Sequence, residues 1–103
     1  MKAFIIKQYG KQNGLKLTTM PEPTVGKNDV LVQIYAAGVN LLDSKIKAGE
    51  FKLLLPYKPP FIIGHDVSGV IVKVGSQVQN FKVGDEVYAR PSDYRVGTFA
   101  EFI

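Results

Sequence analysis

Proline and glycine interrupt this chain so often that no long segment remains between them. The 103 residues include ten glycines and six prolines, and turn-forming residues cluster at 9–14, 26–29, 50–60 and 90–97. Both residue types are unfavourable inside helices and strands and common in turns. This spacing favours a fold built from many short elements.

The segments between these turns have the composition of strands, with apolar and polar residues alternating in several of them. β-Branched residues are concentrated in the longest of these segments. Strands are predicted at 2–7, 15–20, 29–35 and 66–75, within 81–89 after a tight turn at 83–85, and from 98 to 103. Asn13-Gly14 favours a tight hairpin turn between the first two. We therefore predict a mostly β protein with a small closed or nearly closed barrel.

One segment departs from the strand pattern and predicts a short helix at about 41–48. Asn40 is a plausible N-cap, and Asp43 falls near the positive end of the helix dipole. Leu42 and Ile46 are four residues apart and would share the buried face. Gly49 stands where a C-terminal glycine is expected.

Charge and composition restrict the compartments and partners that are expected. The net charge is +4, but the lysines are dispersed, so no nucleic-acid partner is predicted. The longest stretch without charged residues, 30–42, is too short and too polar for a membrane span. The start is not a signal peptide, and the chain has no cysteine, which fits a reducing compartment. We expect a soluble, cytoplasmic protein, longer than this chain because residues 98–103 end within a predicted strand.

Three ordered segments carry a family resemblance, namely AAGVNLLDSKIKAG at 36–49, PPFIIGHDVSGVIVKVG at 59–75 and FKVGDEVYA at 81–89. Together they resemble the N-terminal GroES-like catalytic domain of the medium-chain dehydrogenase/reductase superfamily. The likeness extends from Lys2 to Ile103. It implies a GroES-like domain over 1–103 and a fragment of a longer two-domain enzyme, with the family's α/β Rossmann domain outside this chain.

The resemblance points to a zinc-free branch of this superfamily. Zinc alcohol dehydrogenases have a ligating cysteine where this chain has Asn40, whereas the quinone oxidoreductase-like branch has Gly-Val-Asn followed by Asp. A catalytic zinc needs three protein ligands. A site built from His65, Asp66 and Asp43 is conceivable, but the chain offers a single histidine and no thiolate. No metal is therefore expected.

The resemblance implies transfer of hydride from NADPH to a quinone, or to an activated C=C or C=O substrate. The glycines at 64, 69 and 75 do not match the phosphate-binding fingerprint of a Rossmann domain. This chain would form one wall of a cleft, with a small-molecule substrate and a C-terminal Rossmann domain as its partners. The resemblance also allows a homodimer of the full-length form.

Asn40 and Asp43 are the catalytic candidates that the resemblance suggests. Asn40 would lie near the nicotinamide and the substrate carbonyl, and its amide could donate to oxygen as negative charge develops there. Alternatively, Asn40 caps the helix, or does both. Asp43 could orient a water, a ribose hydroxyl or a side chain. Alternatively, it stabilises the first turn of the helix.

Tyr57 and His65 are the substrate-binding candidates. Tyr57, in the apolar loop at 50–60, could contact a quinone ring or donate a proton, or could be packing surface with a solvated hydroxyl. His65 could face the cleft, or could be a structural histidine paired with backbone or a carboxylate. Two other functions stay open: an enoyl-thioester reductase, and a standalone GroES-like module that binds or assembles without catalysis.

Overall fold

The computed structural model describes residues 1–54 and 57–103. The elements are strands β1 (Lys2–Ile6), β2 (Lys16–Thr19) and β3 (Val30–Gly38), helix α1 (Leu41–Ala48), and strands β4 (Phe61–Ile62), β5 (Asp66–Val74) and β6 (Glu86–Ala89). The predicted mostly β fold with one short helix is confirmed. In the described part of the chain, no helix is long and apolar enough to cross a membrane.

The strands form two antiparallel sheets of three strands each, in the orders β2-β1-β4 and β3-β5-β6. β3 extends three residues beyond the predicted end at 35, because its pairing with β5 continues past a bulge near Tyr35 to Gly38 opposite Asp66. This extension places the end of β3 beside the start of β5.

The C-terminal segment joins the two sheets. Ala100 forms a bridge with Ala3 of β1, and Phe102 forms a bridge with Gln33 of β3. The prediction of a regular strand over 98–103 is wrong, since the segment makes isolated bridges only. Its two edges contact different strands, so neither contact develops into a full ladder. Hydrogen bonding among the described residues thus connects β2, β1, the C-terminal segment, β3, β5 and β6 in that order.

The core lies where α1 packs against the first sheet. Ile6, Ile46 and Ile63 are fully buried together, and partly buried side chains, Leu42 and Tyr57 among them, pack around this cluster. Burying an isoleucine contributes about 1.5–3 kcal/mol relative to leaving it exposed. The predicted helix face is therefore the face that anchors α1.

Both predicted helix ends are present. Gly49 has φ 89°, a left-handed conformation that glycine adopts without strain, and its N–H bonds the carbonyl of Ile46. Asn40 occupies the N-cap position, with extended backbone angles. Asn40 and Asp43 have the arrangement of a capping box, but the well-formed side-chain bond is that of Asp43, which accepts the Asn40 N–H at 2.8 Å.

Two turn and loop regions differ from the sequence predictions. The hairpin between β1 and β2 exists, but its positive φ occurs at Gly10 and not at Asn13-Gly14. The short strand β4 was not predicted, because two residues beside prolines carry too little pattern. In the apolar loop, Phe51 packs on the core whereas Leu53 and Leu54 are exposed, and residues 55 and 56 lie outside the described part of the chain.

Candidate active site

The candidate site forms where β3 leads into α1. Gly38 is paired with Asp66 across the two strands, so the segment 38–43 and the pair His65-Asp66 lie side by side. A shift of one residue in this register would turn Asp66 to the opposite face of the sheet. The register therefore brings together residues that are more than 20 positions apart.

Four polar side chains form a continuous hydrogen-bonded chain at this place. The Asn40 amide Nδ2 donates to Asp66 Oδ2 at 2.6 Å. The main-chain N–H of Asn40 donates to Asp43 Oδ2 at 2.8 Å, and Asp43 Oδ1 lies 2.5 Å from His65 Nδ1. Three of the four predicted site residues, Asn40, Asp43 and His65, thus lie in one network.

Asp43 and His65 form the buried end of this network, with relative exposures of 4% and 2%. Asp43 Oδ1 and His65 Nδ1 share one hydrogen bond, in which the ring nitrogen donates whenever it carries the proton. The Nε2 atom of His65 is buried and has no hydrogen-bond partner among the described residues. The pair is geometrically a buried histidine oriented by a carboxylate, away from the open surface.

Asn40 is at the more accessible end of the network. Its side-chain amide has two N–H groups, and Asp66 accepts one of them. The second N–H is able to donate to a further acceptor. The geometry thus supports a hydrogen-bond donor at this position whose orientation is fixed by a neighbouring carboxylate.

The Tyr57 side chain is not hydrogen-bonded to the network. It lies close enough to Arg90 and Asp93 for their charges to affect the pKa of its hydroxyl. Its ring packs against Phe61, with centroids 5.1 Å apart, and its main-chain carbonyl accepts a bond from the Tyr9 hydroxyl at 2.9 Å. Burial raises the pKa of the Tyr57 hydroxyl, and the charge of Asp93 raises it further. The phenol therefore stays protonated, and its buried oxygen has no partner among the described residues.

An open groove of about 750 Å³ runs beside the accessible end of the network. Its lining includes Ala36, Gly38, Asp66, Ser68, Tyr88 and Arg90. Arg90 donates to Asp93 at 2.9 Å, and this bond, with smaller contributions from Asp66 and Tyr57, raises the pKa of the guanidinium. Arg90 thus keeps a fixed positive charge at the groove.

Two residues of the site were not recognised from the sequence. The sequence indicates Asp66 only as a conceivable metal ligand, and it places Arg90 in the turn-forming segment 90–97. The alternation of β5 gives a signal for Asp66, since it shares a face with Ser68 and not with the buried Val67. No sequence signal places Arg90 here, because its position depends on the pairing of β6 with β5.

The residues present do not fit a catalytic zinc. Within residues 1–54 and 57–103, no three His, Cys, Asp or Glu side chains converge as a metal site requires. His65 Nδ1 is already bonded to Asp43, and the sequence has no cysteine. The sequence also has no glycine pattern that matches the phosphate-binding fingerprint of a Rossmann domain.

Comparison with known proteins identifies the family. The model of the alcohol dehydrogenase GroES-like domain matches residues 26–102. A chloroplastic quinone oxidoreductase of Triphysaria versicolor is 41% identical over 93 residues, which are 90% of this chain and 28% of that protein. A chloroplastic NADPH-dependent alkenal/one oxidoreductase of Arabidopsis thaliana is 42% identical over 94 residues, which are 90% and 24% of the two chains.

Solved structures show the same likeness. The quinone oxidoreductase from Coxiella burnetii has a TM-score of 0.85 and 32% identity, over 100% of this chain and 33% of its own. An alcohol dehydrogenase superfamily protein from Novosphingobium aromaticivorans has a TM-score of 0.89 and 36% identity, over 99% and 31%.

The chain spans about a quarter to a third of the length of these relatives. The fold and the family expected from the sequence are confirmed, whereas the cytoplasmic location stays a prediction. The chain belongs to the alcohol dehydrogenase GroES-like domain family of the medium-chain dehydrogenases/reductases.

Proposed function

We propose that residues 1–103 are the substrate-side domain of a longer, two-domain, NADPH-dependent oxidoreductase. The enzyme would transfer hydride to a quinone or to an activated C=C or C=O substrate without zinc. The observation that carries the proposal is the Asn40 amide, bonded to Asp66 at 2.6 Å beside an open groove. The relatives named as quinone and alkenal/one oxidoreductases support the reaction class.

The reaction that the site would assist is a two-electron reduction. NADPH, when bound, would supply the hydride, and the substrate would gain two electrons with it and then take up a proton. During hydride delivery, negative charge develops on the substrate oxygen. The free N–H of Asn40 donates to that oxygen and stabilises the charge where it develops.

Asp43 would act behind Asn40 and not on the substrate. Its carboxylate holds the Asn40 N–H and the His65 ring at the same time. This arrangement fixes the main chain at the end of β3, so Asn40 does not need to reorganise when the substrate binds. His65 then supports Asp43, and its predicted contact with substrate is the weaker alternative because the residue is buried.

Tyr57 would supply a neutral phenol near Arg90, which lines the groove. Its raised pKa keeps the hydroxyl protonated at neutral pH. A protonated phenol is able to donate a hydrogen bond or a proton. Because the Tyr57 hydroxyl oxygen is buried, donation to the reduced substrate would require that oxygen to become exposed when the substrate binds. The apolar ring, packed against Phe61, also offers a contact for a planar substrate.

The test of the proposal is Asn40→Ala in the full-length protein, assayed with NADPH and a panel of quinones and enones. Loss of a donor to a developing oxyanion lowers kcat by about 10²-fold, whereas loss of an N-cap side chain costs about 0.5–2 kcal/mol of stability. The control is Asn80→Ala, because Asn80 is exposed and remote from the network. We expect Asn40→Ala to lower kcat far more than the control does.

Two results would contradict the proposal. Unchanged kcat with a lower melting temperature would leave Asn40 only a capping role. No NADPH-dependent reduction of any quinone or enone by the wild-type protein would remove the proposed activity itself.

A further inference from the structure

The orientation of the Asn40 amide decides whether it can assist the reaction. The two ends of a carboxamide have nearly the same shape but opposite hydrogen-bonding character. Only the NH₂ end donates to a substrate oxygen, whereas the oxygen end would repel it. A half-turn about the last side-chain bond exchanges the two ends.

We infer that Asp66 is a positioning residue that holds the Asn40 amide by its NH₂ end, at the edge of the groove that Asp66 lines. This inference rests on the proposed function. An ionised carboxylate has no proton to donate, so Asp66 can bond only the NH₂ end of Asn40. The 2.6 Å distance from Nδ2 to Oδ2 is that of a short, charge-assisted bond.

The position of Asp66 is built into the sheet. Asp66 begins β5 and is paired with Gly38, two residues before Asn40. A side chain on Gly38 would meet the Asp66 Cβ at 3.3 Å and Oδ2 at 3.4 Å, so the glycine leaves room for the carboxylate. The register of β3 and β5 therefore sets the distance between Asp66 and Asn40.

Asp66 and Asp43 anchor different parts of Asn40. Asp43 accepts the main-chain N–H at 2.8 Å, and Asp66 accepts the side-chain amide. Loss of Asp43 would therefore disturb the backbone, whereas loss of Asp66 would leave the backbone in place and release the amide to rotate. The roles of the two carboxylates can therefore be distinguished by experiment.

The kinetic test compares Asp66→Ala with wild type in the full-length protein. An amide that presents its oxygen to the substrate about half of the time lowers kcat about twofold, and loss of the bond that holds the amide in place lowers kcat further. We therefore expect kcat to fall about two- to tenfold and KM to change by less than about twofold. Glu86→Ala is the matched control, because it removes an exposed carboxylate from the same sheet. Asp66→Asn keeps an acceptor oxygen and should recover part of kcat.

A second measurement follows the NMR signals of the Asn40 side-chain amide directly. In protein labelled with ¹⁵N-asparagine, the Asn40 side-chain signals are identified by their absence in Asn40→Ala. A proton donated to a carboxylate should resonate further downfield than the same proton of a solvated asparagine side chain. That additional shift should be lost in Asp66→Ala and persist in Glu86→Ala.

The outcomes separate this inference from the proposed function. If Asn40→Ala loses kcat while Asp66→Ala keeps it, or if the Asn40 amide signals are the same in wild type and Asp66→Ala, the inference is overturned and the proposed function stands. If wild type reduces no quinone or enone, the proposed function fails. The amide spectrum alone then shows whether Asp66 orients Asn40.

Discussion

Asp43 combines more interactions than any other carboxylate of the site. It is 4% exposed, and its two oxygens separately accept the main chain of Asn40 and pair with His65. A charge is tolerated in such a position only when it is paired and hydrogen-bonded. Its predicted role at the helix dipole is thus one part of a larger structural role.

Replacement of Asp43 should be strongly destabilising. Asp43→Ala leaves the buried His65 ring and the Asn40 N–H without a partner, and each buried polar group left unsatisfied costs about 1–3 kcal/mol. Asp43→Asn keeps an acceptor and should cost less. Ser44→Ala, on the exposed side of the same helix, should stay within about 0.5 kcal/mol of wild type.

The measurement for these variants is chemical unfolding of the full-length protein, with hydrogen exchange of α1 and β5 as a local readout. Equal stability of Asp43→Ala and Ser44→Ala would show that the buried pair contributes nothing. Faster exchange confined to α1 and β5 would show that the loss is local.

At the level of elements, the turn before β3 is held to the loop after β6. Arg95 in that loop donates to Asp29 at 2.9 Å, and the Asp29 carboxylate also accepts the N–H of Gly26. The bond from Arg95 is the main cause that lowers the pKa of Asp29, and the Gly26 bond adds to it. This contact joins segments that are 66 residues apart.

The Asp29–Arg95 pair should give a pH-dependent stability. The folded pKa of Asp29 is depressed, so the contribution is present above the unfolded value of about 3.9 and is lost as the pH falls through the folded value. Arg95→Gln should therefore lower the melting temperature slightly at neutral pH and not at pH 2. The effect is small, because the Arg95 side chain is 67% exposed.

The control for this variant is Lys73→Gln, an exposed lysine without an ion pair among the described residues. The pKa of Asp29, followed by NMR titration, should rise in Arg95→Gln and stay constant in the control. An equal loss of stability at pH 2 and pH 7 would contradict the electrostatic explanation.

Element prediction succeeded where local chemistry is strong. The helix and β5 were placed to within a residue or so, because caps, periodicity and β-branched composition all agree there. It failed for β4 and for the segment 98–103, whose structure depends on which strands lie beside them. Pairing partners are distant in sequence, and local patterns do not identify them.

For the whole molecule, the main fact is that this chain corresponds to only part of its relatives. It spans about a quarter to a third of their length and contains no glycine loop for a dinucleotide phosphate. We propose that catalysis needs the Rossmann domain of the same polypeptide. The groove beside Asn40 would then become one wall of a cleft between domains.

Metal chelation should leave the activity of the full-length protein unchanged. The reason is the donor set of this domain, which has one histidine and no thiolate. Activity is measured after treatment with EDTA and with 1,10-phenanthroline, with a zinc alcohol dehydrogenase treated in parallel. Stoichiometric zinc that is lost together with activity would show that ligands come from elsewhere in the protein.

The sequence by itself determined the class of fold, the family, the helix and three members of the candidate network. These follow from turn residues, periodicity and ordered motifs, all of which act over a few neighbouring residues. Only the tertiary structure decided that His65 pairs with Asp43, that Asp66 holds Asn40, and that Arg90 lies at the groove. Those contacts depend on the register of β3, β5 and β6, and register is set by packing across the whole sheet.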